Sequence, residues 1–220
     1  MVRLLALATA LLSIWPVVAV AETPVYGRQL VFAAYRNGQP IGAHRLDFDR
    51  QGDRLVVTIS IELAVKVVGI TAYRYTHRGR EVLRGKELVT FDSSTNDDGK
   101  PYAVRASREP DQLRVERTVP GATGLIRDSL PPDLLPSTHW NVYQTSQGFL
   151  LNAQKGTRER IAVITAGRES VRTLSGEIAA TRYRYEGDVR MEQWFDDRGR
   201  WVRSRFVVFD GSSIDYVLQE

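Results

Sequence analysis

The sequence predicts an all-β protein, folded as one strongly curved antiparallel sheet or half-barrel with an irregular excursion at mid-chain. Three observations predict it. Residues 54–68 alternate apolar and polar side chains over the length of a long strand. Turn-forming sequences recur at hairpin spacing from Asn37-Gly38 to Asp210-Gly211. After the first 21 residues, no segment carries a long helical period.

The amino terminus reads as an export signal. Arg3 supplies a positive start, residues 4–20 are almost wholly apolar, and Ala19-Val20-Ala21 matches a small-x-small cleavage site. An uncleaved anchor is the rival reading, but Pro16 interrupts a run that barely reaches the length of a span. Cleavage after Ala21 would send residues 22–220 to the periplasm as a single β domain, with no later span. The absence of cysteine removes lipid attachment, disulfides, thiolate metal sites and cysteine nucleophiles together.

The strands follow in order. Asn37-Gly38 suits a type I′ turn, where both central residues need positive φ, and joins strands near 28–36 and 40–49. Gln51-Gly52-Asp53 turns the chain into the 54–68 strand. There Leu55, Val57, Ile59, Ile61, Leu63, Val65 and Val67 share one face, which a helix would scatter around its circumference. Gly69 marks a bend, and the pattern resumes at Tyr73-Arg74-Tyr75-Thr76 before a turn expected at Arg78-Gly79-Arg80. Strands are then expected at 81–91, 102–108 and 113–119, with a turn at Asn96-Asp97-Asp98-Gly99. Later ones are expected at 160–166, 178–185, 189–195, 201–209 and 214–218, for ten to twelve in all. Residues 120–152 break the rhythm with four prolines among Leu125, Leu134, Leu135, Trp140 and Phe149. So much apolar surface argues for an ordered segment folded over the sheet, with a short helix near 138–144; a domain boundary is the alternative.

Chemistry is sparse. The net charge of +4 is too small to suggest a polyanion partner, and the interleaved Tyr and Arg at 73–75 and 182–185 fit strand alternation better than nucleic-acid binding. His44, His77 and His139 lack metal-ligand spacing, and the acids of 92–99 do not alternate as a calcium loop requires, so neither metal nor cofactor is expected. His44 shares parity with Leu46 and Phe48, and His77 ends a strand. His139 lies in the excursion, where functional loops concentrate. It is the leading catalytic candidate, followed by Asp128 and Asp133; Trp140, Tyr73 and Tyr75 are candidates for ligand contact.

The order of the motifs is familiar. The hairpin Asn37-Gly38-Gln39-Pro40-Ile41-Gly42, the long strand, Tyr73-Arg74-Tyr75, residues 137–141 and the late pattern of Gly176, Ala180, Arg182 and Tyr183 resemble the exported bacterial proteins of domain-of-unknown-function family 6134, and more distantly family 3108. The resemblance spans nearly all of residues 22–220. It implies a periplasmic location and a curved sheet, and transfers no catalytic residue.

Two functions compete at this level. One is a non-enzymatic binding or envelope-maintenance protein that holds an apolar ligand or envelope polypeptide against its concave face. The other is a hydrolase-type enzyme with a site in 120–152. An outer-membrane barrel, a third reading, sits poorly with charges on both faces of several strands.

Overall fold

The computed structural model describes residues 26–219; the expected signal segment lies outside them. Fourteen strands form one antiparallel sheet. They are β1 (Gln29–Arg36), β2 (Gln39–Gln51), β3 (Arg54–Val67), β4 (Ile70–Arg84), β5 (Glu87–Asp97), β6 (Lys100–Arg108), β7 (Leu113–Thr118) and β8 (Ile126–Leu130), then β9 (Phe149–Leu151), β10 (Arg158–Thr173), β11 (Gly176–Gly187), β12 (Met191–Asp196), β13 (Trp201–Val207) and β14 (Ser213–Leu218). Each strand pairs with the next in sequence except across the excursion. There β8 and β9 form the two edges of the sheet, while β1 pairs with β14 at its middle.

Every strand reverses the last, so alternate turns share an end of the molecule. Turns near residues 37, 68, 98, 155, 188 and 210 surround one end, and those near 52, 85, 110, 174 and 198 the other. The sheet curls because one face is apolar and must be hidden. Leu30, Phe32, Leu46, Val57, Ile59, Leu88, Phe91, Val115, Trp201 and Leu218 all enter one core. The outward faces carry ion pairs between neighbouring strands, such as Arg105 with Asp92 (3.1 Å) and Arg127 with Glu116 (3.0 Å). Apolar residues thus point inward, opposite to the pattern of a lipid-embedded barrel.

Several expectations are corrected. Gly79 makes no turn; β4 runs straight through it, held by pairing with Ile59 on β3 and Ser93 on β5. The turn falls at Gly85, which has φ +57°, and splits the expected 81–91 strand between β4 and β5. Residues 120–152 are less irregular than expected, since β8 and β9 occupy both flanks. The helix is a 3-10 turn at Val142–Ser146, capped by the Asn141 side chain, which accepts from the Tyr143 amide.

What remains between β8 and β9 is a plug. Leu134, Leu135 and Trp140 are buried in the main core. Residues 135–137 bond to β9 through Leu151 N–H to Leu135 O and Ser137 N–H to Leu151 O (both 2.9 Å), which covers the edge of that strand. Tyr26 stacks on Phe48 (4.6 Å) and meets Trp140 edge-on (5.5 Å), donating its hydroxyl to the Trp140 carbonyl. This end of the barrel is packed shut.

Candidate functional site

The strand register builds the site. Read along β3, each inward residue faces a defined partner on both sides. Val57 lies between Phe48 and Glu81, Ile59 between Leu46 and Gly79, and Ile61 between His44 and His77. Beyond them Leu63 meets Gly42 and Tyr75, and Val65 meets Tyr73. These levels ascend from plug to opening. Exposure follows them: Val57 and Ile59 are buried, Leu63 and Val65 half-buried, and Val67 is 56% exposed. The stripe that seals the core at one end lines an open cavity at the other.

That cavity has a volume of about 1090 Å³. Ile41, Ile59, Ile61, Leu63, Val65, Phe206 and Ile214 supply its apolar wall, and Tyr73, Tyr75 and Tyr216 add rings with a polar tip. It slightly exceeds the usual range for pockets that enclose a small ligand. Its rim is charged on both signs, with Arg36, Lys100, Lys155 and Arg190 beside Asp97, Asp98, Asp188 and Asp210. Asp97 accepts from the Tyr73 hydroxyl (2.6 Å) and the Gln154 amide (3.2 Å), tying the loop after β9 to the β5–β6 turn.

All three histidines of the chain line this cavity. His44 and His77 arrive by register, one on each side of Ile61, and His139 arrives on the plug. His139 adopts φ +72°, an unfavourable conformation for a residue with a Cβ. Gln193 holds it there, its amide donating to the ring Nδ1 (3.0 Å) and to the His139 carbonyl (3.3 Å). With Nδ1 accepting, the ring proton sits on Nε2. His77 Nδ1 bonds the Thr95 hydroxyl (2.8 Å).

Among the described residues, His44 has no hydrogen-bond partner. It is fully buried among Phe32, Trp201, Tyr216 and His139, and neither ring nitrogen finds a hydrogen bond. Burial holds its pKa well below the ordinary value, with the nearby His139 and His77 adding to the effect. Burial likewise depresses His77 and His139 to about 4, helped by Arg78 and by His77 respectively. The deep wall is therefore uncharged at neutral pH. Behind it Glu81, also buried, accepts from the Trp140 indole (3.2 Å), and burial pushes its carboxyl up to about 7.

The sequence candidates scatter. His139, Tyr73 and Tyr75 line the cavity. Trp140 anchors the plug beneath it and does not line it. Asp128 sits half-buried on β8 in an ion pair with Arg117 (2.8 Å), and Asp133 is an exposed plug residue, so neither carboxylate joins His139 at the cavity. Sequence reasoning missed the convergence of His44 and His77 with His139. The parity of His44 with Leu46 and Phe48 was the signal for its inward face, but only register shows what it meets. Among the described residues, no group of three His, Cys, Asp or Glu could hold a metal ion.

The fold has a solved counterpart. A β-barrel-like protein of domain-of-unknown-function family DUF1849 from Brucella abortus superposes with a TM-score of 0.61 at 11% identity, over 87% of this chain and 95% of that one. No curated protein matches the sequence. The family model for a domain of unknown function, DUF6134, matches residues 32–219, nearly the whole sheet from β1 to the end of β14. The chain belongs to the DUF6134 family.

Proposed function

We propose that this chain is exported to the periplasm and there holds an apolar or amphiphilic ligand in its barrel, without chemical turnover. The observation that carries the proposal is the continuous change along β3 from sealed core to accessible wall, which leaves about 1090 Å³ lined by aliphatic and aromatic side chains. A filled core would close this space, because protein interiors pack without voids of such size. The neutral histidines favour an uncharged part of a ligand at depth, since nothing there compensates a buried charge. The hydrolase alternative is weaker. His139, its best base, takes an amide at Nδ1 where an orienting carboxylate would be needed.

Mass spectrometry of a lipid extract, taken from protein purified out of the periplasm, tests the ligand. The expected result is a co-purifying amphiphile, and saturable fluorescence when cis-parinaric acid is titrated into the emptied protein. Leu63→Trp, placed halfway up the wall, should abolish that signal while leaving the fold intact. An empty extract together with unsaturable fluorescence would overturn the proposal. Amino-terminal sequencing of the same preparation should begin at Glu22; retention of the leader in the membrane fraction would overturn cleavage, and recovery of the chain from the cytoplasm would overturn export.

A further inference from the structure

Beyond the cavity itself, its rim carries an arm. Pairing of β2 with β3 ends at Gly42 and Leu63, and pairing of β4 with β5 ends at Tyr75 and Asp97. Strands β3 and β4 nevertheless continue together to Val67 and Ile70. The hairpin of residues 64–74 thus runs four residues past its last pairing with either neighbour, about 13 Å at strand rise. Its lower half is tied to the sheet, where Asp98 N–H donates to the Arg74 carbonyl (2.8 Å) and the Tyr73 hydroxyl donates to Asp97 (2.6 Å).

The tip of this arm is apolar and uncovered. Val67, Val68 and Ile70 are 56%, 96% and 74% exposed, and on the β13–β14 turn Val207 and Phe209 are bare as well. Val67 and Phe209 both line the cavity, so the exposed apolar side chains stand at its mouth. Water-exposed hairpins are ordinarily blunted by polar residues, and a clustered apolar tip marks a contact surface. The only charges on residues 64–74 are Lys66 and Arg74, both basic and both exposed. An apolar wedge with basic flanks suits the boundary between anionic headgroups and acyl chains.

We infer that the β3–β4 arm docks the mouth of the barrel onto an anionic lipid surface. The apolar tip enters the headgroup boundary, Lys66 and Arg74 meet the headgroup charge, and the cavity opens toward the bilayer. This placement takes its purpose from the amphiphile reading above, giving the ligand a path that avoids bulk water.

Vesicle sedimentation of the whole mature chain tests it. The chain should pellet with vesicles of phosphatidylcholine mixed with phosphatidylglycerol, and far less with phosphatidylcholine alone. Raising the salt should release it. The triple change Val67→Ser, Val68→Ser and Ile70→Ser should weaken partitioning by at least about tenfold, and Lys66→Glu with Arg74→Glu should remove the preference for anionic vesicles. Unchanged melting temperatures exclude unfolding as the cause, since neither set touches the core. Absence of pelleting at low salt overturns the inference, as does indifference to headgroup charge. Concentration-dependent dimers in lipid-free sedimentation, lost in the triple variant, would assign the arm to a second copy and overturn it too. Leu63→Trp separates the two proposals: docking should survive when the cavity is blocked, so pelleting with an empty extract refutes only the ligand.

Discussion

His44→Leu is the sharpest perturbation this structure suggests. Deleting a fully buried polar side chain usually destabilises a protein, but the two nitrogens of His44 have no hydrogen-bond partner among the described residues. A buried donor or acceptor left unsatisfied costs about 1–3 kcal/mol, and leucine refills similar volume without that cost. At about pH 7.5 the variant should therefore equal or exceed the parent in stability. Acid separates them further. The histidines have folded-state pKa values below the ordinary one, so the unfolded chain takes up protons that the fold refuses. Stability is then lost as pH falls below about 6.5, toward about 4 for His77 and His139, at up to ~1.4 kcal/mol per pH unit for each histidine. Glu81, raised to about 7, binds its proton more tightly when folded and works in the opposite direction. Three histidines against one carboxyl leave a net uptake of about two protons on unfolding near pH 5.5, a slope of about 2.5 kcal/mol per pH unit. His44→Leu should halve it. Urea unfolding followed by tryptophan fluorescence, repeated across the acid range, measures both quantities. An unchanged slope with a large loss at neutral pH would refute the reasoning and assign His44 a partner.

Three further outcomes follow from the same architecture. Glu81→Gln keeps an acceptor for the Trp140 indole but cannot ionise, so it should gain about 3 kcal/mol above pH 7 and nothing below about pH 4, read as the difference between melting curves at the two conditions. Trp140→Ala empties the centre of the plug and should cost about 3–5 kcal/mol, with cis-parinaric acid released faster through the loosened end. Gly42→Ala should fail to accumulate as soluble protein at growth temperature. A Cβ there meets the Glu62 carbonyl oxygen at 1.9 Å, and at φ +149° no side chain sits without strain.

The long strand was legible because alternation over so many residues has no helical explanation; of its inward set, Leu55, Val57, Ile59 and Ile61 enter the core, while Leu63, Val65 and Val67 line the cavity. The tight turns at Asn37-Gly38 and Asp98-Gly99 were legible for the same local reason: each places positive φ on residues that tolerate it. Gly79 and Gly85 show where local reading stops. Arg78-Gly79-Arg80 and Arg84-Gly85-Lys86 are nearly the same tripeptide, yet the first is mid-strand and the second a turn. Pairing with Ile59 on β3 and Ser93 on β5 keeps the first in the strand, whereas Gly85 takes φ +57° and turns. The site was harder still. His44, His77 and His139 lie far apart in sequence and are joined by register and by the plug, neither of which is written in spacing. Asp128 was chosen for its address in the excursion and is instead a strand residue engaged with Arg117.

The pairing of β1 with β14 has a consequence for biogenesis. Phe32 sits opposite Leu218, so strands 186 residues apart meet at the centre of the sheet. Until β14 is in place the sheet cannot close its middle, and two half-sheets must wait side by side with bare backbone along β1. A copy cut short before Ser213 would stay open along its midline to any protease it meets.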